Sequence, residues 1–427
     1  MEDGDENEDT FSSRLGVAVD DVHRDWKILS EAEQAASERA NYKGAGIYQR
    51  QLRTLRGRSL LGRLGTYGLM PKYGFPTDVV ELKVRSSSWE AGQVELARDM
   101  KLALTEFAPE NQVIAAGRVW TSAGIVLPLG ERKLHEYLFW HCQACNFFSA
   151  ERSVATEEET PSARQCHCGE KHEADRYIYP EFGFTTKLGE GARVGDSRPP
   201  AKSYAESFFQ DESQVREPTP VDSCNWVHEF PATKGWIHVI NNNRDRDFYV
   251  CTSCGFSALL HPSFLGEKGG HKVPWSTDRT CRGSLVRRAL GYCYRTDVVE
   301  LRFPKPSGLV SNDPDLQLSF WQSLLHAVVN ASCLELEIDG RDIDGCLYYR
   351  EGKTPSIVLF DTSPGGAGFV FEVRDNLGEI MRRTLAVVSC SSCAEDSSCV
   401  ACLRTYSNQR VHNKLRRGVV LDYLRAQ

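Results

Sequence analysis

The residues in this chain best suited to chemistry are its cysteines, 15 among 427 residues. Most come in close pairs. Cys142 and Cys145 are two residues apart, Cys166 and Cys168 one apart, with twenty residues between the pairs. Zinc takes four ligands at tetrahedral corners, and a tight turn presents two thiolates on one side. Gly169, after the last cysteine, suits such a turn. Four thiolates close this site without His141 or His167. Cys390, Cys393, Cys399 and Cys402 form another complete set, with five residues between the pairs. A redox pair comes singly at a helix start, so two pairs favour metal. A third set is short of one thiolate: Cys251 and Cys254, followed by Gly255, and Cys281, followed by Gly283. His271 is its predicted fourth ligand, with His261 and Cys224 as alternatives. The predicted cofactor is Zn2+, and closed sites of four protein ligands are structural. Cys293, Cys333 and Cys346 sit in apolar surroundings and are predicted core residues.

Other chemistry is thinner. Gly352–Thr354 reads GKT, but a phosphate loop needs a glycine five positions earlier, where Leu347 stands. Pro355 follows, so no helix start can face a phosphate. His412–Lys414 reads HNK, but the aspartate of an HxK-x4-D signature is replaced by Val419. Glu335, Glu337 and Asp339 alternate as on one strand and, with Asp361, define an alternative reading as a magnesium-dependent nuclease. A solvated strand face is the plainer reading of these acids. His326, among apolar helix residues, reads as a core or interface histidine. The run DTSPGGAG, Asp361–Gly368, follows an apolar strand and precedes a helical run. Its glycines, Gly365 and Gly366 among them, let backbone approach a phosphate closely; a tight turn is the plainer reading. Arg404, Arg410, Lys414, Arg416 and Arg417 cluster beside the last cysteines, with Tyr406, Asn408 and His412 among them. Cations with an aromatic and an amide can hold phosphates and stack a base. A solvated helix face explains them equally. The basic stretch Arg50–Arg63 has the same alternatives, or a protein partner.

Composition sets bounds. The net charge is -7, and six of the acids stand in the first nine residues. Without those six, 52 acids face 51 bases, so any grip on nucleic acid rests on local patches. No apolar run approaches the ~20 residues that span a bilayer. No charged start leads into an apolar signal region. A cytoplasmic location away from membranes is expected, and paired cysteines without export favour metal over disulfides.

The predicted fold class is α+β, a multi-module protein with zinc-ribbon-like cysteine clusters set into mixed sheet and helix domains. A disordered acidic tail is expected over 1–20 and a helical segment over 21–66, broken at Gly44 and Gly46. A strand-rich domain follows over 67–140, with strands at DVVELKV and NQVIAAGRVW and a helix at VELARDMKLALTEF. The first zinc module occupies 141–186, a linker rich in Gly, Pro and Ser 187–222, and the second zinc module 223–303. The C-terminal domain, 304–427, has a helix at SFWQSLLHAVVNA, strands at LELEI and SIVLF, and a last helix. The run TDVVEL occurs twice, in FPTDVVELKV and YRTDVVELRF. It marks either two similar strands of one sheet or a duplicated strand-plus-zinc unit.

Several motifs together resemble a known family. SSCVACLRTYSNQRVHNKLRRG is similar to the C-terminal signature of the MrfA-like zinc-binding, helicase-associated family. LFDTSPGGAGFVFEV, LMPKYGFPTDVVEL, GYCYRTDVVELRF and APENQVIAAGRVWTSAGI also match, so the resemblance covers roughly 55–425. It implies zinc on Cys390, Cys393, Cys399 and Cys402, with Asn408 and His412 in the following motif. Arg416 departs from the acidic residue common there. Such regions accompany DEAD/DEAH-type helicase motors, and occur in the DrmB partner protein of the DISARM anti-phage system. The resemblance implies a non-catalytic accessory subunit that binds DNA and a helicase subunit, in defence or repair. The alternatives are the nuclease and a purely structural scaffold.

Overall fold

The computed structural model describes residues 11–57, 79–86, 94–128, 134–143, 145–151, 162–166, 168–189, 191–193, 203–211, 217–230, 234–244, 246–261, 270–306, 313–350 and 354–427. Its spine is the 18-residue strand Leu285–Arg302, about 60 Å long at ~3.3 Å per residue. Its first residues pair with Phe248–Cys251, which carries the second cysteine set. Ala289 and Leu290 run parallel to Tyr177 and Ile178, next to the first set. Leu290–Asp297 pair with Lys234–Asn241. Val298–Leu301 pair with Ile357–Phe360 of the C-terminal domain. One strand thus ties three modules into a single 12-stranded sheet.

Alternation on this strand sorts its side chains between two cores, because successive residues point to opposite faces. Val299, Leu301 and Phe303 join the C-terminal core, built from the helices Pro314–Glu335, Leu377–Val388 and Arg417–Arg425. Tyr292, Tyr294 and Val298 face a second core with Leu82, Leu104, Phe107 and Phe184. That core is covered by a six-stranded sheet that includes Val79–Lys83, Arg118–Ile125 and Phe184–Thr186.

The two TDVVEL copies therefore lie in different sheets, which overturns their reading as strands of one sheet; Thr77 and Asp78 lie outside the described residues. Val79 is 44% exposed while its counterpart Val298 is fully buried.

Other expectations change for local reasons. The tail expected over 1–20 is helical from Phe11, and residues 1–10 lie outside the described residues. The helical break falls at Arg39–Asn41 rather than at the glycines. Ala40 takes φ 51°, and the Asn41 side chain accepts Gly44 N–H at 3.1 Å, capping the helix Tyr42–Gly57. Gly44 and Gly46 sit within that helix. The single helix expected near residue 100 is the strand Ala97–Asp99 followed by Met100–Glu106, because Asp99 caps Leu102 N–H. NQVIAAGRVW is a hairpin, not one strand: Ala116 and Gly117 take φ 50° and 70°, as a two-residue I′ turn requires. LELEI is no strand. The helix runs through Glu335, and Glu337 turns left-handed at φ 53°. The expected linker contains a core strand, Glu206–Gln210, whose Phe209 is 2% exposed and which pairs along Lys234–Asn241. SFWQSLLHAVVNA and SIVLF form the expected helix and strand. Of the basic stretch Arg50–Arg63, residues 58–63 lie outside the described residues. Among the described residues, no helix is long and apolar enough to cross a membrane.

Candidate metal centres

The first two cysteine sets grow from strand ends. Cys142 follows the strand Glu136–His141, and its N–H bonds Phe147 O at 2.9 Å, closing a turn that carries Cys145. Cys166 and Cys168 lie in the turn of a short hairpin, where Gly169 takes φ 90° and donates to Cys166 O at 3.0 Å. The second set repeats the device. Cys251 ends a strand and its N–H bonds Phe256 O at 2.8 Å, while Gly255 N–H bonds Cys251 O at 2.9 Å.

Gly255 cannot be another residue. A Cβ there would stand 2.1 Å from Ile125 O, and one on the facing Gly124 would stand 2.0 Å from Gly255 O. The knuckle backbone is pressed on the six-stranded sheet, bonded from Ile125 N–H to Gly255 O at 2.9 Å.

The fourth ligand of this set comes from an opposite strand. His271 and Cys281 are register partners in a two-stranded hairpin and point to the same side. His271 Nε2 lies 3.2 Å from Cys254 Sγ, and Cys251 Sγ 3.8 Å from Cys281 Sγ. The Phe256 ring stacks on the imidazole at 4.7 Å and fixes its plane. The alternatives are elsewhere: His261 meets Tyr249 edge-on, and Cys224 is buried in the C-terminal core.

The third set joins the helix Leu377–Val388 to the last turns of the chain. Cys390 and Cys399, and Cys393 and Cys402, each stand 3.7 Å apart. Ser392 N–H points at Cys390 Sγ and holds this thiol down to about 7, favouring the thiolate that a metal needs.

All three sets fit zinc. A tetrahedral ion with ~2.3 Å bonds to sulfur separates its ligands by about 3.8 Å. In each set all four ligand atoms lie within 4.8 Å of one another. The sets are Cys142, Cys145, Cys166 and Cys168; Cys251, Cys254, His271 and Cys281; and Cys390, Cys393, Cys399 and Cys402. Gly283 leaves room for the second: its Cβ would stand 2.9 Å from Cys251 Sγ. Zinc bound there would cross-link strand ends, with no ligand position left for substrate.

The nuclease acids do not converge. Glu335 pairs with Arg383 and Asp339 with Arg341. Asp361 is fully buried and accepts N–H bonds from Ala367, Gly368 and Val370 at 2.6, 2.7 and 3.2 Å. Burial pushes its carboxyl above the usual range against those bonds, and the Asp297 charge adds to the rise. This favours the tight-turn reading of the glycine loop over the phosphate-binding one. N–H groups just beyond Gly365 and Gly366 are spent on the protein's own carboxylate. Gly366 itself abuts Asp297, whose Oδ2 would meet any added Cβ at 2.0 Å. Lys234 locks the turn by bonding both Asp297 and Gly365 O at 2.6 Å. Sequence reading missed Asp297 and Lys234 because their partners are distant in the chain.

The basic C-terminal run is in part turned inward. Arg417 is 8% exposed and donates to Cys393 O and Val388 O. Asn408 is buried, bonding Leu403 O and Thr405 N–H, and its Oδ1 meets His412 Nε2 at 2.8 Å. Arg404 bonds Ser398, and Arg410 pairs with Glu206 at 2.7 Å. The Tyr406 hydroxyl donates to Glu106, while its ring is exposed. Lys414 and Arg416 are exposed. The structure thus brings the metal residues together and leaves only part of the predicted nucleic-acid group facing solvent.

Comparison with known proteins bears on the same regions. Residues 324–403 match the family MZB, the MrfA Zn-binding domain, a stretch containing all four cysteines of the third set. The chain is 27% identical over 418 residues to Druantia protein DruE of Escherichia coli strain UMEA 4076-1. That match covers 86% of this chain and 22% of the relative, so the chain spans about a fifth of that protein's length. Among solved structures it is similar to the DUF1998 helicase MrfA bound to DNA, with TM-score 0.34, 12% identity, 81% of this chain and 33% of that one. It is also similar to the DUF1998 helicase MrfA alone, with TM-score 0.33, 8% identity and coverage of 76% and 32%.

Proposed function

We propose that this chain is a zinc-stabilised, non-catalytic accessory module of a DNA helicase machine in anti-phage defence. The motor is supplied outside these 427 residues. The observation that carries the reading is the third cysteine set, a closed four-thiolate site inside the stretch that matches the MrfA Zn-binding domain. A closed site shapes a fold rather than turning over substrate. The relation to Druantia protein DruE supports a place in defence. On this reading Zn2+ supplies the cross-links, the module docks on a DEAD/DEAH-type helicase, and DNA is held by cations left exposed, Lys414 and Arg416 among them.

The test is affinity capture of the tagged chain from its native host, with co-purifying proteins identified by mass spectrometry. A helicase in stoichiometric amount is the expected result. Recovery of the zinc-loaded chain alone would overturn the accessory role.

A further inference from the structure

The second metal centre carries a surface that the metal itself does not explain. In the hairpin His271–Lys272 with Thr280–Cys281, alternation turns His271 and Cys281 to the metal site and Lys272 and Thr280 away from it. Arg282 directly follows the strand and is exposed. At the open end, a turn closed by Val273 N–H to Arg279 O at 3.2 Å presents Trp275 at 41% exposure, and Arg279 is exposed too. The neighbouring loop brings Lys187: Leu188 N–H bonds Pro274 O at 2.9 Å.

Lys187, Lys272, Arg279 and Arg282 are all exposed, and none of them is ion-paired to a carboxylate among the described residues. Lys272 makes only a long 3.4 Å contact to Thr280 Oγ1. The one acid on the turn, Asp278, is engaged with Thr277. This differs from the C-terminal run, where Arg404, Arg410 and Arg417 are committed to protein partners. The hairpin is also held rigid. Gly270, at φ 143°, lets its backbone lie where a Cβ would stand 2.4 Å from Cys281 O, and the metal ligands close the base.

The geometry points to this hairpin as a binding site for single-stranded nucleic acid, with Lys272, Arg279 and Arg282 on phosphates and Trp275 stacking on a base. The inference rests on the DNA-holding part of the proposed function and places that contact on the second metal module. An indole 41% exposed on this turn offers apolar ring surface to a base. Unpaired cations within the same hairpin match the charge of a backbone whose bases are unstacked. A duplex hides its base faces and would use the cations alone.

The test uses the full, zinc-loaded chain and a fluorescently labelled 20-nucleotide oligo-dT, with affinity measured across salt concentrations. Trp275→Ala is expected to weaken binding about tenfold or more, the range for one stacked base. The triple variant Lys272→Ala, Arg279→Ala, Arg282→Ala is expected to lower the salt slope by about 2, at ~0.7 per phosphate contact on a single strand. Both variants should keep the zinc content and circular dichroism of the parent, since none of these side chains lies in a core. Unchanged affinity and slope in both, with parent binding intact, would overturn the hairpin site while leaving DNA binding in place. No oligo-dT binding by the parent, or tighter binding of a duplex of equal length, would also overturn it, whatever the helicase capture shows.

Discussion

The second and third metal centres both close with four protein ligands, three cysteines and a histidine in one and four cysteines in the other, and differ more in what surrounds them. The third is set in the largest core, where Cys402 and Leu403 pack with the helices Pro314–Glu335 and Arg417–Arg425. Asn330 donates to Cys402 O, and Arg417 caps the knuckle carbonyl of Cys393. The second has a small core of its own, Cys251, Cys254 and Val273, and meets the rest of the molecule through backbone at Gly255 and Pro274 and through the end of the long strand. A metal centre inside a large core draws nearby polar side chains inward to satisfy its carbonyls. One at a sheet edge leaves them outside. A peripheral knuckle thus leaves more of its basic residues uncommitted, while beside the core-set third knuckle Lys414 and Arg416 still face solvent.

Removing one ligand from each centre tests this contrast most severely. Cys402→Ser should reduce bound zinc from about three ions to about two and unfold the C-terminal helices, since structural zinc supplies on the order of 10 kcal/mol in small domains. Hydrogen exchange should then lose protection across 377–427. Cys254→Ser should lose one zinc as well, but with exchange rising only around 248–284. Equal spread of exposure in both variants would break the comparison.

Asp361→Ala should cost about 3 kcal/mol or more in denaturant melts, because three buried N–H groups lose their acceptor. A loss below about 1 kcal/mol would show that the glycine loop does not depend on that carboxylate.

His326 gives the C-terminal domain a pH dependence. Burial pushes it from 6.5 down to about 4, Asp344 opposes this, and Arg410, Lys101 and His412 add to it. The folded state thus excludes a proton that the unfolded chain binds. Stability is complete above pH ~6.5 and is lost as pH falls toward ~4, by about 2 kcal/mol for this partly exposed residue. His326→Asn should flatten that slope in melts between pH 4 and 7, and an unchanged slope would assign it to other groups.

The smallest effects should come from the surface. Arg410→Ala removes an exposed pair with Glu206 and should change stability by less than about 1 kcal/mol. Trp275→Ala should be nearly neutral for folding, and a large loss there would place the indole in a core.

The four-ligand sets were legible in the sequence because zinc imposes short, local spacings. Cys142 to Cys168 and Cys390 to Cys402 need no knowledge of the fold, and even His271 was reachable as the histidine between the half-sites. The helix at SFWQSLLHAVVNA and the strand at SIVLF were legible for the same reason: their apolar patterns act locally. What failed depended on partners far away. Glu206–Gln210 reads as linker until Lys234–Asn241 pairs with it. The Glu335–Asp339 acids read as a strand until the helix above is extended by its buried face. The glycine loop keeps a phosphate-binding alternative until Asp297, 69 positions before Gly366, fills it.

By itself, then, the sequence determined the metal chemistry and the elements whose signals are local, because coordination and helix periodicity act over a few residues. The tertiary structure alone decided which cations face solvent. Exposure depends on which carbonyls and carboxylates the fold brings to each arginine and lysine, and those lie tens to hundreds of residues away: Glu206 for Arg410, Val388 for Arg417, and none for Lys272 or Arg282 among the described residues.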